Sequence, residues 1–145
     1  MLEWHERYEV GVESIDNAHK EIFRVINRLH KMIRVGGNTR WAAAEAVKYL
    51  KTYVLKHFHD EEQYMLSIGF RDYEMHKSIH DGMRDKIVPR LYSQMESANY
   101  SDETITLFLN VCEKWLNRHI IGHDRELLKY LKSEDEEEGE ETRNA

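Results

Sequence analysis

Four apolar seams run through this chain, stepping by turns of four and three residues, the spacing of helices packed side by side. The first is Ile15, His19, Ile22, Ile26, Leu29, Ile33, closed by Gly36, Gly37 and Asn38. The second is Ala43, Val47, Leu50, Val54, His57, Glu61, Tyr64, Ile68, stopped by Gly69. The third is Tyr73, His76, His80, Met83, Ile87, where Pro89 is expected to kink the helix or end it early. Ser101 reads as the N-cap of the fourth, with Asp102 and Glu103 in its first turn and a seam of Ile105, Phe108, Cys112, Trp115, His119. The connections are short, so neighbouring helices should run antiparallel. The expected fold is all-α: an up-down-up-down antiparallel four-helix bundle over residues 1–132, with residues 1–14 as an irregular N-terminal arm.

Charge sets the tail apart from the bundle. Ser133 to Ala145 holds seven acids against the single base Arg143, which accounts for the whole formal charge of −6. Residues 133–145 therefore read as a disordered acidic tail, since like charges repel and nothing apolar is there to bury. The balanced remainder has no basic footprint for nucleic acid or an anionic membrane. No apolar run reaches the length of a membrane span, and the N-terminus does not resemble a signal peptide. The lone Cys112 suits a reducing, cytoplasmic setting and reads as a small core side chain.

Polar residues stand on the seams where a core should be. His19, His57, Glu61, His76, His80 and His119 all fall there, and burying such groups is costly unless they are paired or bind a metal. Their depth is the stronger sign. His19 lies early in its helix, His57 and Glu61 late, His76 and His80 early, and His119 late. In an up-down-up-down bundle those regions share one end. After His119 the inward pattern resumes at Asp124, Leu127, Leu128 and Leu131, a step of five. A π-type turn near Ile120 to Asp124 would bring Asp124 inward. His123, four residues after His119, competes with it, and the spacing alone leaves that choice open. His5 and His30 read as surface or supporting residues, and His59 as exposed.

Taken in order, several short elements resemble the hemerythrin family, in particular its single-domain bacterial members. They are Trp4 with Val10-Gly11-Val12 and Ile15-Asp16, His19, His57-Phe58 followed by Glu61-Glu62, His76-x-x-x-His80, and Trp115-Leu116-x-x-His119-Ile120 followed by Asp124, within roughly residues 4–131. Two departures are the Gly69-Phe70-Arg71 turn, where relatives often carry proline, and the acidic tail. The resemblance implies two iron ions joined by an oxide or hydroxide. His76, His80 and His119 hold one, His19 and His57 the other, and Glu61 and Asp124 bridge both. Asp124 is thereby preferred to His123. It also implies reversible dioxygen binding at the second iron, in a cavity lined by Ile22, Phe58, Trp115, Leu116 and Ile120.

Four other readings compete. A di-iron carboxylate oxidase would use Glu-x-x-His twice, and this chain has none. Iron–sulfur repair or nitric-oxide handling on a related bundle is disfavoured by the aspartate five residues after the last histidine. An oxygen, redox or nitric-oxide sensing module acting through an unidentified protein partner is the main alternative to carriage, storage or delivery of oxygen. A metal-free bundle would leave several buried ionisable groups without partners. The expectation is a binding protein, not an enzyme.

Overall fold

The computed structural model describes residues 2–36 and 40–144. Its helices are α1 (Glu13–Val35), α2 (Arg40–Ser67), α3 (Tyr73–Gly82), α4 (Val88–Ser97), α5 (Asp102–His119) and α6 (Arg125–Asn144). A π-helical turn at Met83–Ile87 joins α3 to α4, and another at Ile120–Asp124 joins α5 to α6. The six segments thus form four rods, as the seams require. His19 early in α1 meets His57 late in α2, and His80 in the first third of the third rod meets His119 at the end of α5, so neighbouring rods run antiparallel. Among the described residues no helix is long and apolar enough to cross a membrane.

Local chemistry explains the ends. Gly36, at φ 72°, closes α1 and donates its N–H to Met32. Gly37 and Asn38 lie outside the described residues. Gly69, at φ 65°, turns the chain after α2, and Phe70 N–H returns to the Met65 carbonyl at 2.9 Å, the six-to-one bond that closes many helices. Ser101 caps α5 by accepting the Thr104 N–H.

Three expectations are corrected. Of the two outcomes expected at Pro89, a kink or an early end, the early end does not occur. In an unbroken α ladder the proline ring would meet the carbonyl four residues back, at Asp85, and the π turn opens the ladder there. The extra residue also moves the buried stripe from Met83 to Val88, Leu91 and Met95, leaving Ile87 half-buried. In α2 the stripe after Glu61 runs through Met65, while Tyr64 and Ile68 are only partly buried. The acidic tail is helical backbone as far as Asn144. Glutamate is a good helix former, and the segment holds no proline to stop the helix it extends.

The core has two parts. The larger is built on Ile22, Ile26, Leu29, Val47, Leu50, Phe58, Phe108, Leu109, Leu116 and Ile120. The smaller contains Val10, Ile15, Met65, Phe70 and Leu127. The arm is pinned over both. Asn27 bonds the Leu2 backbone at 2.8 and 2.7 Å, and Tyr8 Oη donates to Asn117 Oδ1 at 3.0 Å. The Asp16 carboxylate accepts from the N–H groups of Val10 and Gly11 at 2.8 and 3.2 Å. Gly11 has φ +88°, and a Cβ there would stand 2.9 Å from Leu128 Cδ1. Gly11→Ala is expected to lower stability by about 1–3 kcal/mol, seen as a lower urea midpoint with an unchanged slope.

Candidate metal centre

Each rod sends ionisable side chains to one level of the bundle. His19 comes from α1, His57 and Glu61 from α2, His76 and His80 from α3, His119 from the last residue of α5, and Asp124 from the π turn after it. None is more than 5% exposed. The π turn matters most for Asp124. It brings His119 Nε2 and Asp124 Oδ1 to 2.9 Å, whereas a step of five on a regular α-helix separates them by about 140°. His123 is only partly buried, with its ring 5.6 Å from that of His119.

The donor atoms fall into two adjoining groups. One joins His76, His80 and His119 to Glu61 and Asp124, and the other joins His19 and His57 to the same two carboxylates. Each carboxylate divides its oxygens between them. Glu61 Oε1 faces His76 at 2.7 Å, while Oε2 faces His57 at 3.1 Å. Asp124 Oδ1 faces His76 and His119, both at 2.9 Å, while Oδ2 faces His19 at 3.2 Å. The Nε2 atoms of His57 and His19 are 2.9 Å apart, and those of His80 and His119 are 3.0 Å apart.

This is a poor set of hydrogen bonds and a good set of ligands. Both oxygens of Glu61, both of Asp124 and Nε2 of His76 are buried with no hydrogen bond, despite those short separations. In each group the donor atoms all lie within 4.8 Å of one another. Two imidazole nitrogens bound at right angles to one first-row metal at about 2.1 Å stand about 3.0 Å apart, which matches both histidine pairs. Imidazole with carboxylate is a donor set that suits iron and its neighbours.

Electrostatics follows from the same crowding. Burial pushes the Asp124 carboxyl up, but the imidazoles of His119, His19 and His76 override it and hold the group well below the carboxylate range. Burial and Asp124 both push Glu61 up, yet His57 and His76 bring it below its ordinary value. Burial pulls His76 down, and Asp124 and Glu61 outweigh this, raising it to about 10. In His80 burial prevails and its pKa falls.

Glu62 and Arg84, neither of them on a seam, stand behind His80. Glu62, 4% exposed, lies with its Oε2 2.7 Å from His80 Nδ1 and 2.6 Å from Arg84 Nη2. The available sign was a second stripe beside the α2 seam, Phe58, Glu62 and Met65, again in steps of four and three. Of the expected cavity residues, Ile22, Phe58, Leu116 and Ile120 are at most 2% exposed. Phe58 stacks on His80 at 4.2 Å between ring centres. Trp115 stacks on His119 at 4.4 Å but is only partly buried, because Leu116 takes the inward position.

A family model described as the hemerythrin HHE cation binding domain matches residues 10–131. The chain belongs to the hemerythrin family. A bacteriohemerythrin of Clostridium acetobutylicum is 28% identical to it over 133 residues, covering 88% of this chain and 99% of that protein. A bacteriohemerythrin of Pseudomonas aeruginosa is 31% identical over 123 residues, covering 85% and 76%. A myohemerythrin of Theromyzon tessulatum is 30% identical over 122 residues, covering 84% and 87%. A hemerythrin fold of this kind depends on the second π turn to place its last carboxylate. Asp124→Ala leaves that turn in place and removes the carboxylate it brings inward. The expected result is a protein that keeps its far-ultraviolet helical signal but loses roughly tenfold or more in metal affinity, measured by competition with a chelator.

Proposed function

We propose that the chain binds dioxygen reversibly at a pair of non-haem iron ions. The observation that carries this reading is the division of Glu61 and Asp124, each with one oxygen toward either imidazole group. A carboxylate so divided is placed to bridge two ions, where a single ion would draw both oxygens to one side. The names of the bacteriohemerythrin and myohemerythrin relatives support the same conclusion.

On this reading His76, His80 and His119 hold one iron, His19 and His57 hold the other, and Glu61 and Asp124 bridge them with an oxide or hydroxide. Two iron(II) ions so held would supply the two electrons that reversible dioxygen binding takes up and returns. The first group offers five protein donors and the second four, so room for a further ligand lies on the His19 and His57 side.

The surrounding residues keep that position dry. Ile22, Phe58, Leu116 and Ile120 belong to one apolar cluster, with Trp115 packed against its edge. Their aliphatic and aromatic carbons give up no proton and hold no water. Such a shell controls solvent access to a metal site. Reversal needs this dryness, because water and protons would carry the bound gas on to reduced products and leave the iron oxidised. The role that fits is carriage, storage or delivery of oxygen, not turnover.

Anaerobic reconstitution with iron(II) tests the reading directly. Two irons per chain are expected, with a visible charge-transfer absorption that appears in air and fades under argon over repeated cycles. One iron per chain, or a single irreversible conversion in air, would overturn it. Leu116→Asn places a polar group in the wall and is expected to shorten the life of the oxygen-loaded protein by roughly tenfold, followed as loss of that absorption. An unchanged lifetime would remove Leu116 from the wall.

A further inference from the structure

Every imidazole in the centre turns Nε2 toward the donor groups, which leaves Nδ1 to carry the ring proton. For His19 and His119 that nitrogen is buried with no hydrogen-bond partner among the described residues. His80 differs, because its Nδ1 meets Glu62 Oε2 at 2.7 Å. The same oxygen accepts from Arg84 Nη2 at 2.6 Å, and Arg84 Nη1 donates to Asp81 Oδ1 at 2.6 Å. Lys77 Nζ then donates to Asp81 Oδ2 at 2.9 Å. A buried carboxylate on the back of one ligand is thus tied, through an arginine, to a partly exposed ion pair.

We propose that Glu62 is a positioning residue that acts through His80, fixing its Nδ1–H tautomer and making His76, His80 and His119 the more strongly donating group, so that the iron there has the lower potential. The inference rests on the dinuclear reading above. A hydrogen bond accepted by a charged carboxylate is about twice as strong as one accepted by a neutral oxygen. It orients the ring and raises the basicity of the nitrogen that faces the metal. Arg84 limits the effect. By sharing Oε2 it keeps Glu62 ionised while drawing on its charge, so the proton stays on His80.

Glu62 and Arg84 should therefore act with opposite sign. Glu62→Gln keeps the shape but offers a neutral acceptor, which weakens donation by His80 and raises the potential. Arg84→Met leaves the carboxylate free to pull harder and lowers it. Residues that merely held the helices together would loosen the site in the same way in both variants.

The test uses the full chain. Metal-free protein is titrated with cobalt(II), whose visible absorption reports occupancy, and iron-loaded protein is examined by anaerobic redox titration. Wild-type protein comes first: if it fails to take two equivalents, the dinuclear reading falls and takes this inference with it. If it takes two, Glu62→Leu is expected to weaken one equivalent by about 10- to 100-fold and spare the other. The midpoint should move up in Glu62→Gln and down in Arg84→Met, and Asp81→Asn should move it less than Glu62→Gln does. Equal weakening of both equivalents, shifts of the same sign, no shift, or an equal shift in Asp81→Asn would overturn the role of Glu62 while leaving the dinuclear reading intact. Should the leucine variant fail to fold, the isosteric glutamine and its potential decide the matter.

Discussion

A layer of seven ionisable side chains, sealed between two apolar cores, is the constraint the rest of this fold has to satisfy. One turn to one side of the layer stand Ile22 and Leu116 of the larger core, with Phe58 beside His57. One turn to the other side stand Ile15, Met65 and Leu127 of the smaller. None of the seven is more than 5% exposed, so every charge must be met by a neighbour or by an ion. A buried charge stripped of its partner costs about 3–5 kcal/mol. The carboxylates and imidazoles meet one another at hydrogen-bond distances but without hydrogen-bond geometry. Cations at the two donor groups would answer all of them. Because the donors come from all four rods, ions so held would together tie the helices at the end of the bundle where they converge.

Regular α-helices alone could not assemble this layer. A straight helix drifts relative to a seam of sevens by about 20° in each heptad, and the two outermost requirements of the fourth rod, His119 and Asp124, lie five apart. The π turn at Ile120–Asp124 absorbs the difference locally and lets Leu127 return to the core. The third rod uses the same device. There the turn at Met83–Ile87 passes Pro89 without ending the helix, resets the stripe to Val88, and contains Arg84. One irregularity thereby serves both packing and the hydrogen bond behind His80.

The seams made the four rods legible, and shared depth made the polar layer legible, because both follow from 3.6-residue periodicity applied to a single chain. The five-residue step to Asp124 was readable for the same reason: an apolar pattern resumed out of phase after it. The matching step from Met83 to Val88 was hidden, since Ile87 offered an equally apolar residue in the regular phase and Pro89 suggested an end. Glu62 was hidden by its neighbour, because a seam one residue wide assigns Glu61 inward and Glu62 outward, whereas α2 buries a face broad enough for both. The helical course of residues 133–144 was also obscured. Charge argued for disorder, while backbone propensity and continuity with α6 favoured helix.

Unequal contributions from the rods also explain why the two halves of the centre are not alike. The third rod gives two imidazoles and the fourth gives one, while the first and second give one each. With Glu61 and Asp124 shared, the difference of one donor is set by the four-residue spacing of His76 and His80, which puts both rings on one face of α3. The first rod places apolar Ile22 three residues after His19, and the second places Phe58 directly after His57. Phe58 stands between the two groups, its ring 4.2 Å from that of His80 and 6.2 Å from that of His57, and Ile22 adds hydrocarbon next to His19. On the dinuclear reading, a small ligand at the His19 and His57 group would sit beside these side chains. On the other side His80 is backed by Glu62 and faced by the Phe58 ring, and His119 is faced by Trp115, and together with His76 these would close the coordination there. On the dinuclear reading, spacing on one helix thus separates the position that exchanges ligand from the one that only supports it.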